Sequence, residues 1–222
     1  MNNNLTEIIA ILDMSGSMHE LTSDTIGGYN SLIEEQKKQP GQANITTVLF
    51  DDRYFLLHDR ENIQNVKPLT TKEYIPCGMT AMLDAIGKTL ISVGKKLADT
   101  PEEERPGSVL VTIITDGYEN ASKEYSYDMI KKMIEEQRNK YNWIFTFIGA
   151  DIDTMTVGQS IGIDASMSKT YTKSTAGTDS VYHTLSKSIT FARRSGGVGG
   201  QSVRMSYDAM INEMSNILDE IE

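Results

Sequence analysis

The chain has 222 residues and carries 31 acidic against 21 basic side chains, which gives a net charge of −10. This acidic balance argues against nucleic acid or an anionic membrane as the main partner. The single cysteine, Cys77, permits no disulfide within the chain, and the amino terminus lacks the basic and apolar parts of a signal peptide. We therefore expect one large domain in the cytoplasm.

The first predicted element is a buried strand followed by a turn rich in oxygen atoms. Residues 8–12 form an unbroken apolar run, which is typical of a parallel strand covered on both faces. Asp13, Ser15 and Ser17 follow it at alternate positions. An aspartate and two hydroxyls in a tight turn can point at one centre, and hard oxygen ligands suit Mg²⁺, Mn²⁺ or Ca²⁺. The turn is therefore a candidate metal site.

A helix and a hairpin are predicted next. Residues 18–39 indicate a helix, which Pro40 and the following glycine would end. Residues 45–50 and 54–58 indicate two strands joined by a short acidic turn. Such a hairpin would give the sheet one antiparallel edge strand.

The following helix and strand each bring a further oxygen ligand. Residues 80–98 predict an amphipathic helix, and Thr80 lies where a loop loosened by Gly78 turns into it. Residues 108–115 predict a second buried strand, which ends in Asp116 before a glycine. This carboxylate has the same position relative to its strand as the first aspartate.

The remaining elements continue the alternation of helices and strands. They are a helix at 126–140, a strand at 143–148, a short helix near 154–161, a weak strand near 169–173 and a helix at 178–194. The whole pattern predicts an α/β fold with a doubly wound, mostly parallel six-stranded sheet and helices on both faces. In such a sheet the loops at the carboxyl ends of adjacent strands meet in one crevice, so distant turns can converge.

At this point the chain resembles the von Willebrand factor type A (VWA) family, whose metal-ion-dependent adhesion site (MIDAS) is written Asp-x-Ser-x-Ser, then Thr, then Asp. All five positions match, as Asp13, Ser15, Ser17, Thr80 and Asp116. The resemblance covers about residues 5–195 and implies a Rossmann-like VWA fold with the strand order 3-2-1-4-5-6. It also implies that Ser15 and Ser17 bind the metal directly, that Thr80 binds it directly or through water, and that the two aspartates act mostly through water.

The chemistry of such a site points to binding. Neutral hydroxyls dominate the ligands, so the charge of a divalent ion is only partly cancelled and one coordination position stays open to a carboxylate from another molecule. We therefore expect a non-enzymatic module that holds one divalent cation, with Mg²⁺ favoured over Mn²⁺ or Ca²⁺, and captures an Asp or Glu of a protein partner. Intracellular bacterial and phage single-domain VWA proteins are the nearest in style, which implies a scaffold or regulator.

Simpler interpretations exist for each segment. Ser17 and Glu20 fit a capping box, Thr80 fits an N-cap, and Asp116 with its glycine fits an ordinary turn.

A metal-assisted hydrolase is the alternative function, since a divalent ion with open positions can activate water. It would need a base, and His19 is the one plausible candidate in a sequence without a Ser-His-Asp set.

Three further carboxylates lie near the predicted site. Asp151 and Asp153 follow a strand and would either tune the metal or form a solvated acidic loop. Asp84 lies one helical turn beyond Thr80 and would support it or face water. Cys77, close before Thr80, would perturb the loop if oxidised, although a lone cysteine is more often inert.

The end of the chain adds two segments to a VWA domain of residues 1–195. Residues 196–205 are rich in glycine and predict a flexible linker. Residues 206–222 predict an amphipathic helix. Its apolar face would pack on the domain, or bind a partner or a second copy in a self-assembling subunit.

Overall fold

The computed structural model describes residues 1–196 and 207–221, so all of the predicted linker beyond Gly196 lies outside the described residues. The strands are β1 (Asn2–Asp13), β2 (Gln42–Phe50), β3 (Tyr54–Asn62), β4 (Pro106–Thr115), β5 (Ile144–Ala150) and β6 (Ser168–Tyr171). The helices are α1 (Thr22–Lys37), α2 (Met82–Asp99), α3 (Tyr127–Tyr141), α4 (Thr154–Ser160), α5 (Thr175–Gly196) and α6 (Tyr207–Leu218). Short 3₁₀ helices cover Gly16–Leu21, Ile63–Asn65, Glu102–Glu104 and Ala165–Met167.

The six strands form one sheet in the order β3-β2-β1-β4-β5-β6, as predicted. Every neighbouring pair is parallel except β2 and β3, so the hairpin supplies the antiparallel edge strand. β1 lies at the centre, where Ile11 pairs with Val48 on one side and Ile113 on the other. The carboxyl ends of β1 and β4 therefore lie side by side, and the loops that follow them meet at one edge.

The core surrounds the central strands on both faces. Residues 6–13 of β1 are all buried, and since successive strand residues point to opposite faces, both faces of β1 are covered. Helices α1 and α5 pack together, as do α2 and α3. The continuous apolar runs found in β1 and β4 are what a doubly covered sheet requires.

Two predicted elements have different bounds in the structure. The helix predicted from residue 18 begins at Thr22, because the chain first forms the 3₁₀ turn Gly16–Leu21. Strand β3 extends to Asn62, beyond the predicted end, through an irregular pairing in which Arg60 has a φ of 48°. The Arg60 guanidinium reaches the fully buried Glu7 of β1, 3.0 Å from Nε to Oε2, and this tertiary contact holds a polar stretch in the sheet.

Helix α6 lies against α5, with the side chains of Met214 and Leu218 buried in the core. An ion pair of 2.7 Å between Lys187 of α5 and Glu220 adds to the contact. Within residues 1–196 and 207–221, every helix is too short or too polar to cross a lipid bilayer.

Candidate metal centre

Asp13, the last residue of β1, is fully buried and holds the turn that follows it. Its Oδ1 accepts the backbone N–H of Ser15 at 2.7 Å, and its Oδ2 accepts the hydroxyl of Thr115 at 2.5 Å. Burial raises the pKa of Asp13 to about 6, although both hydrogen bonds favour the charged form and the nearby Asp116 adds to the rise. A cation close to this carboxylate would favour its charged form.

Ser15, Ser17 and Asp116 form a connected chain of polar atoms. The hydroxyl oxygens of Ser15 and Ser17 are 3.0 Å apart, and the Ser17 hydroxyl donates to Oδ1 of Asp116 at 2.5 Å. The structure thus brings the turn after β1 and the end of β4 together, as the motif predicted. The capping-box interpretation of Ser17 and Glu20 is wrong, because Ser17 lies inside the 3₁₀ turn and its hydroxyl is used by Asp116.

Thr80 is buried and approaches the same place from a third segment. A Cβ atom added to Gly117 would lie 3.4 Å from Oγ1 of Thr80 and 3.6 Å from Oγ of Ser17, so both hydroxyls face this glycine. The N-cap interpretation of Thr80 is wrong, because α2 begins after Ala81 and without a side-chain cap. Instead, the backbone of Thr80 is held by Asn120, whose Oδ1 accepts the Thr80 N–H at 2.8 Å.

The loop before Thr80 is bonded to the turn after β1. The N–H of Cys77 donates to the carbonyl of Met14 at 3.0 Å, and the N–H of Gly16 donates to the carbonyl of Gly78 at 3.2 Å. Gly78 has a φ of 70°, and a Cβ atom there would lie 2.1 Å from Oδ1 of Asp52. The positive φ and the close approach of the Asp52 side chain both favour glycine at this position.

Two carboxylates fasten the loop after β4 to the start of α2. Asp84 accepts the backbone N–H groups of residues 123–125 at 2.9 to 3.0 Å. Burial opposes the charge of Asp84, but these three bonds lower its pKa below the usual value. Glu119 accepts the N–H of Leu83 at 2.9 Å. The support expected from Asp84 thus reaches Thr80 through the loop, while Glu119 and Asn120 carried no recognisable signal in the sequence.

Lys173, on the loop between β6 and α5, was not predicted to take part. Its Nζ lies 2.8 Å from Oδ2 of Asp116 and donates to the carbonyl oxygen of Ser17 at 2.8 Å. The contact with Oδ2 is an ion pair without hydrogen-bond geometry, and the side chain of Asp116 is fully buried. No periodicity or motif marks this lysine, because its role depends on how two distant loops meet.

The other carboxylates at this edge serve the backbone. Asp153 caps α4 by accepting the N–H of Thr156 at 3.0 Å, which lowers its pKa. Asp151 accepts the N–H of Lys173 at 3.3 Å. Both are exposed, in keeping with an acidic loop. His19 is exposed on the 3₁₀ turn.

The converging groups suit a hard divalent cation. Three hydroxyls and two carboxylates meet at one edge of the sheet, and Oδ2 of Asp116 is buried with a cation as its neighbour and no hydrogen bond. The part of the chain that the structure describes contains no cluster of three His, Cys, Asp or Glu side chains fit to hold a metal. A metal at this edge would therefore depend on Ser15, Ser17 and Thr80, and oxygen ligands of this kind match Mg²⁺ or Mn²⁺.

Comparison with known proteins finds similar solved structures. No model of a known protein family matches the sequence, and no curated protein matches it. Proximal thread matrix protein 1 from the mussel byssus, solved with a zinc-occupied MIDAS motif, is 18% identical with a TM-score of 0.58, over 83% of this chain and 46% of that one. The von Willebrand factor type A protein from Catenulispora acidiphila is 11% identical with a TM-score of 0.55, over 83% and 42%. This chain thus spans less than half the length of either structure.

The fold and the site together define the class of protein. It is a doubly wound α/β protein with one antiparallel edge strand, and polar side chains converge where its two central strands end. The chain has the von Willebrand factor type A fold, as the resemblance in the sequence implied.

Proposed function

We propose that this protein is a metal-dependent protein-interaction module that captures an acidic side chain of its partner. The observation that carries the proposal is the series of side-chain hydrogen bonds from Ser15 through Ser17 to Asp116. The Thr80 hydroxyl faces the same place beside Gly117. The three hydroxyls would hold a divalent cation, with Asp13 and Asp116 behind them. When bound, the cation supplies a positive centre with a coordination position open to a carboxylate.

The surroundings of the site favour a protein as the partner. Met79 and Tyr118 on loops, and Met155 in the first turn of α4, are large apolar side chains that are each more than half exposed. Met79 directly precedes Thr80, and the Tyr118 hydroxyl accepts the N–H of Asp153 at 3.3 Å, which ties this side chain to the loop after β5. Exposed apolar groups that surround a polar centre are typical of protein interfaces.

The choice of metal and of cellular role belongs to the same proposal. The mussel protein carries zinc in its MIDAS motif, and the oxygen ligands here favour Mg²⁺. The one cysteine is exposed and free, which accords with a reducing compartment and a cytoplasmic scaffold or regulator. The proposed role is binding and not catalysis, and His19, the one candidate base, lies exposed on the 3₁₀ turn.

Two measurements test the proposal. Isothermal titration with MgCl₂ should show one binding site in the wild type and a loss of at least tenfold in affinity in Ser17→Ala. Ser23→Ala removes an exposed hydroxyl from α1 and should leave the affinity unchanged. Capture of partners from host lysate should then depend on Mg²⁺ in the wild type, and should fail with chelator or with Ser17→Ala.

The outcomes separate binding from other roles. Capture that is equal with Mg²⁺ and with chelator would overturn the proposed mechanism. His19→Ala should leave metal-dependent capture unchanged. A hydrolytic activity that disappears in His19→Ala would instead favour an enzyme.

A further inference from the structure

The ammonium of Lys173 already neutralises the carboxylate at the heart of the candidate metal centre. Its Nζ lies 2.8 Å from Oδ2 of Asp116, whose other oxygen accepts the Ser17 hydroxyl. The side chain of Asp116 is fully buried, while that of Lys173 is 24% exposed. A buried carboxylate needs a compensating charge, and Lys173 supplies it from the solvent side.

The position of this lysine is fixed by its own loop. The backbone N–H of Lys173 donates to Oδ1 of Asp151 at 3.3 Å, and the N–H of Asp151 donates to the carbonyl of Tyr171 at 3.1 Å. At the other end of the side chain, Nζ donates to the carbonyl of Ser17 at 2.8 Å. Lys173 is therefore held at both ends, unlike a lysine that extends freely into solvent.

A divalent cation and this ammonium would require the same carboxylate. A cation bound to the hydroxyls of Ser15 and Ser17 would lie close to Asp116, since Ser17 is bonded to it directly. Two positive centres that share one buried carboxylate repel each other strongly, because the surroundings screen them poorly. The lysine must give up its contact with Asp116, or the cation must bind more weakly.

We infer that Lys173 is a built-in competitor for the metal, which stabilises the metal-free protein and sets the affinity of the site for divalent cations. The inference rests on the proposed metal-binding function. On binding of the cation, the ammonium leaves Asp116. The affinity of the site therefore reflects the difference between the free energies with which the divalent cation and the ammonium interact with it. The wild-type site consequently reaches half-saturation at a higher metal concentration than its oxygen ligands alone would require.

The test compares two lysines that each pair with a carboxylate. Lys173→Met removes the competitor. Lys187→Met removes an equal charge from the exposed pair with Glu220, and so controls for the change in net charge. Isothermal titration with MgCl₂ and with MnCl₂ should show at least tenfold tighter binding in Lys173→Met than in the wild type, and a change below threefold in Lys187→Met.

A second measurement does not depend on the metal. Thermal unfolding in EDTA should occur at a lower temperature in Lys173→Met than in the wild type, because Asp116 loses its counter-charge. Lys173→Gln, which keeps a donor for the Ser17 carbonyl without the charge, should behave in the same way and serves if the Met variant does not fold.

The results distinguish the two proposals. Equal metal affinities in Lys173→Met and Lys187→Met would overturn the competition while leaving the metal site intact. Absence of binding of either metal by the wild type and by all variants would overturn the proposed function and the competition together. Binding by Lys173→Met alone would support both.

Discussion

Replacing Gly117 with alanine should separate metal binding from folding. The added Cβ would lie 3.4 Å from the Thr80 hydroxyl oxygen and 3.6 Å from that of Ser17, both ordinary van der Waals distances. The protein should therefore fold normally. The methyl group would nevertheless contact the two hydroxyls that are proposed to close around one cation, and Mg²⁺ requires its ligands at about 2.1 Å.

The expected magnitudes are well separated. A tolerated Gly→Ala change should alter the free energy of unfolding of the metal-free protein by less than about 1 kcal/mol. A ligand present at 100 times its dissociation constant stabilises the wild type by about 2.7 kcal/mol, and a 100-fold weaker affinity leaves about 0.4 kcal/mol. In a chain of this size, 1 kcal/mol corresponds to about 2–4 °C in Tm. The wild type should thus gain about 5–11 °C from Mg²⁺ and Gly117→Ala only about 1 °C.

Thermal unfolding followed by circular dichroism, with MgCl₂ and with EDTA, is a suitable assay. Gly27→Ala is the matched control, because Gly27 is exposed in α1 and an added Cβ would have no atom within 4 Å. The control should keep the full metal-dependent shift and become more stable by about 0.5–1 kcal/mol. A full shift in Gly117→Ala would refute the idea that Thr80 and Ser17 share a cation.

Three further predictions concern the framework around the site. Asp84→Asn should destabilise the protein by about 1–2 kcal/mol at pH 7 in urea unfolding. Folding lowers the pKa of Asp84, so its stabilising contribution is full above about pH 4 and is lost as the pH falls through the pKa of the folded protein. The difference in the free energy of unfolding between wild type and Asp84→Asn should therefore narrow on acidification. A difference that stays constant with pH would contradict this. Gly28→Ala would place a Cβ 2.2 Å from the buried ring of Tyr182. Urea unfolding should show a free energy of unfolding lower by about 2–3 kcal/mol. An unchanged midpoint would disprove the close packing of α1 on α5. The Cys77 thiol donates a hydrogen bond to Asp51 at 3.3 Å, which raises the pKa of the thiol. Mass spectrometry should therefore show slower alkylation of Cys77 by iodoacetamide at pH 8 than of free cysteine. An equal rate would contradict the assigned contact.

Much of the fold follows from patterns within short stretches of sequence. The apolar run at residues 8–12 needs both faces covered, whatever surrounds it, and the alternation of strands and helices leaves few ways to arrange a parallel sheet. Strand bounds were less predictable where tertiary contacts decide them. The polar end of β3 stays in the sheet because Arg60 reaches the buried Glu7, and no local pattern carries that information.

The candidate site divides in the same way. The oxygen ligands at strand ends are readable in the sequence, because the apolar runs of β1 and β4 lead directly into Asp13, Ser15, Ser17 and Asp116. The further groups that reach this edge, beyond the five of the motif, follow only from the packing of distant loops. Lys173 comes to Asp116 only because the loops after β4 and β6 lie at the same edge of the sheet. Glu119 meets α2 because the loop after β4 lies against the start of that helix. Such contacts join segments far apart in the chain, and their free energy depends on distances that only the packed sheet defines.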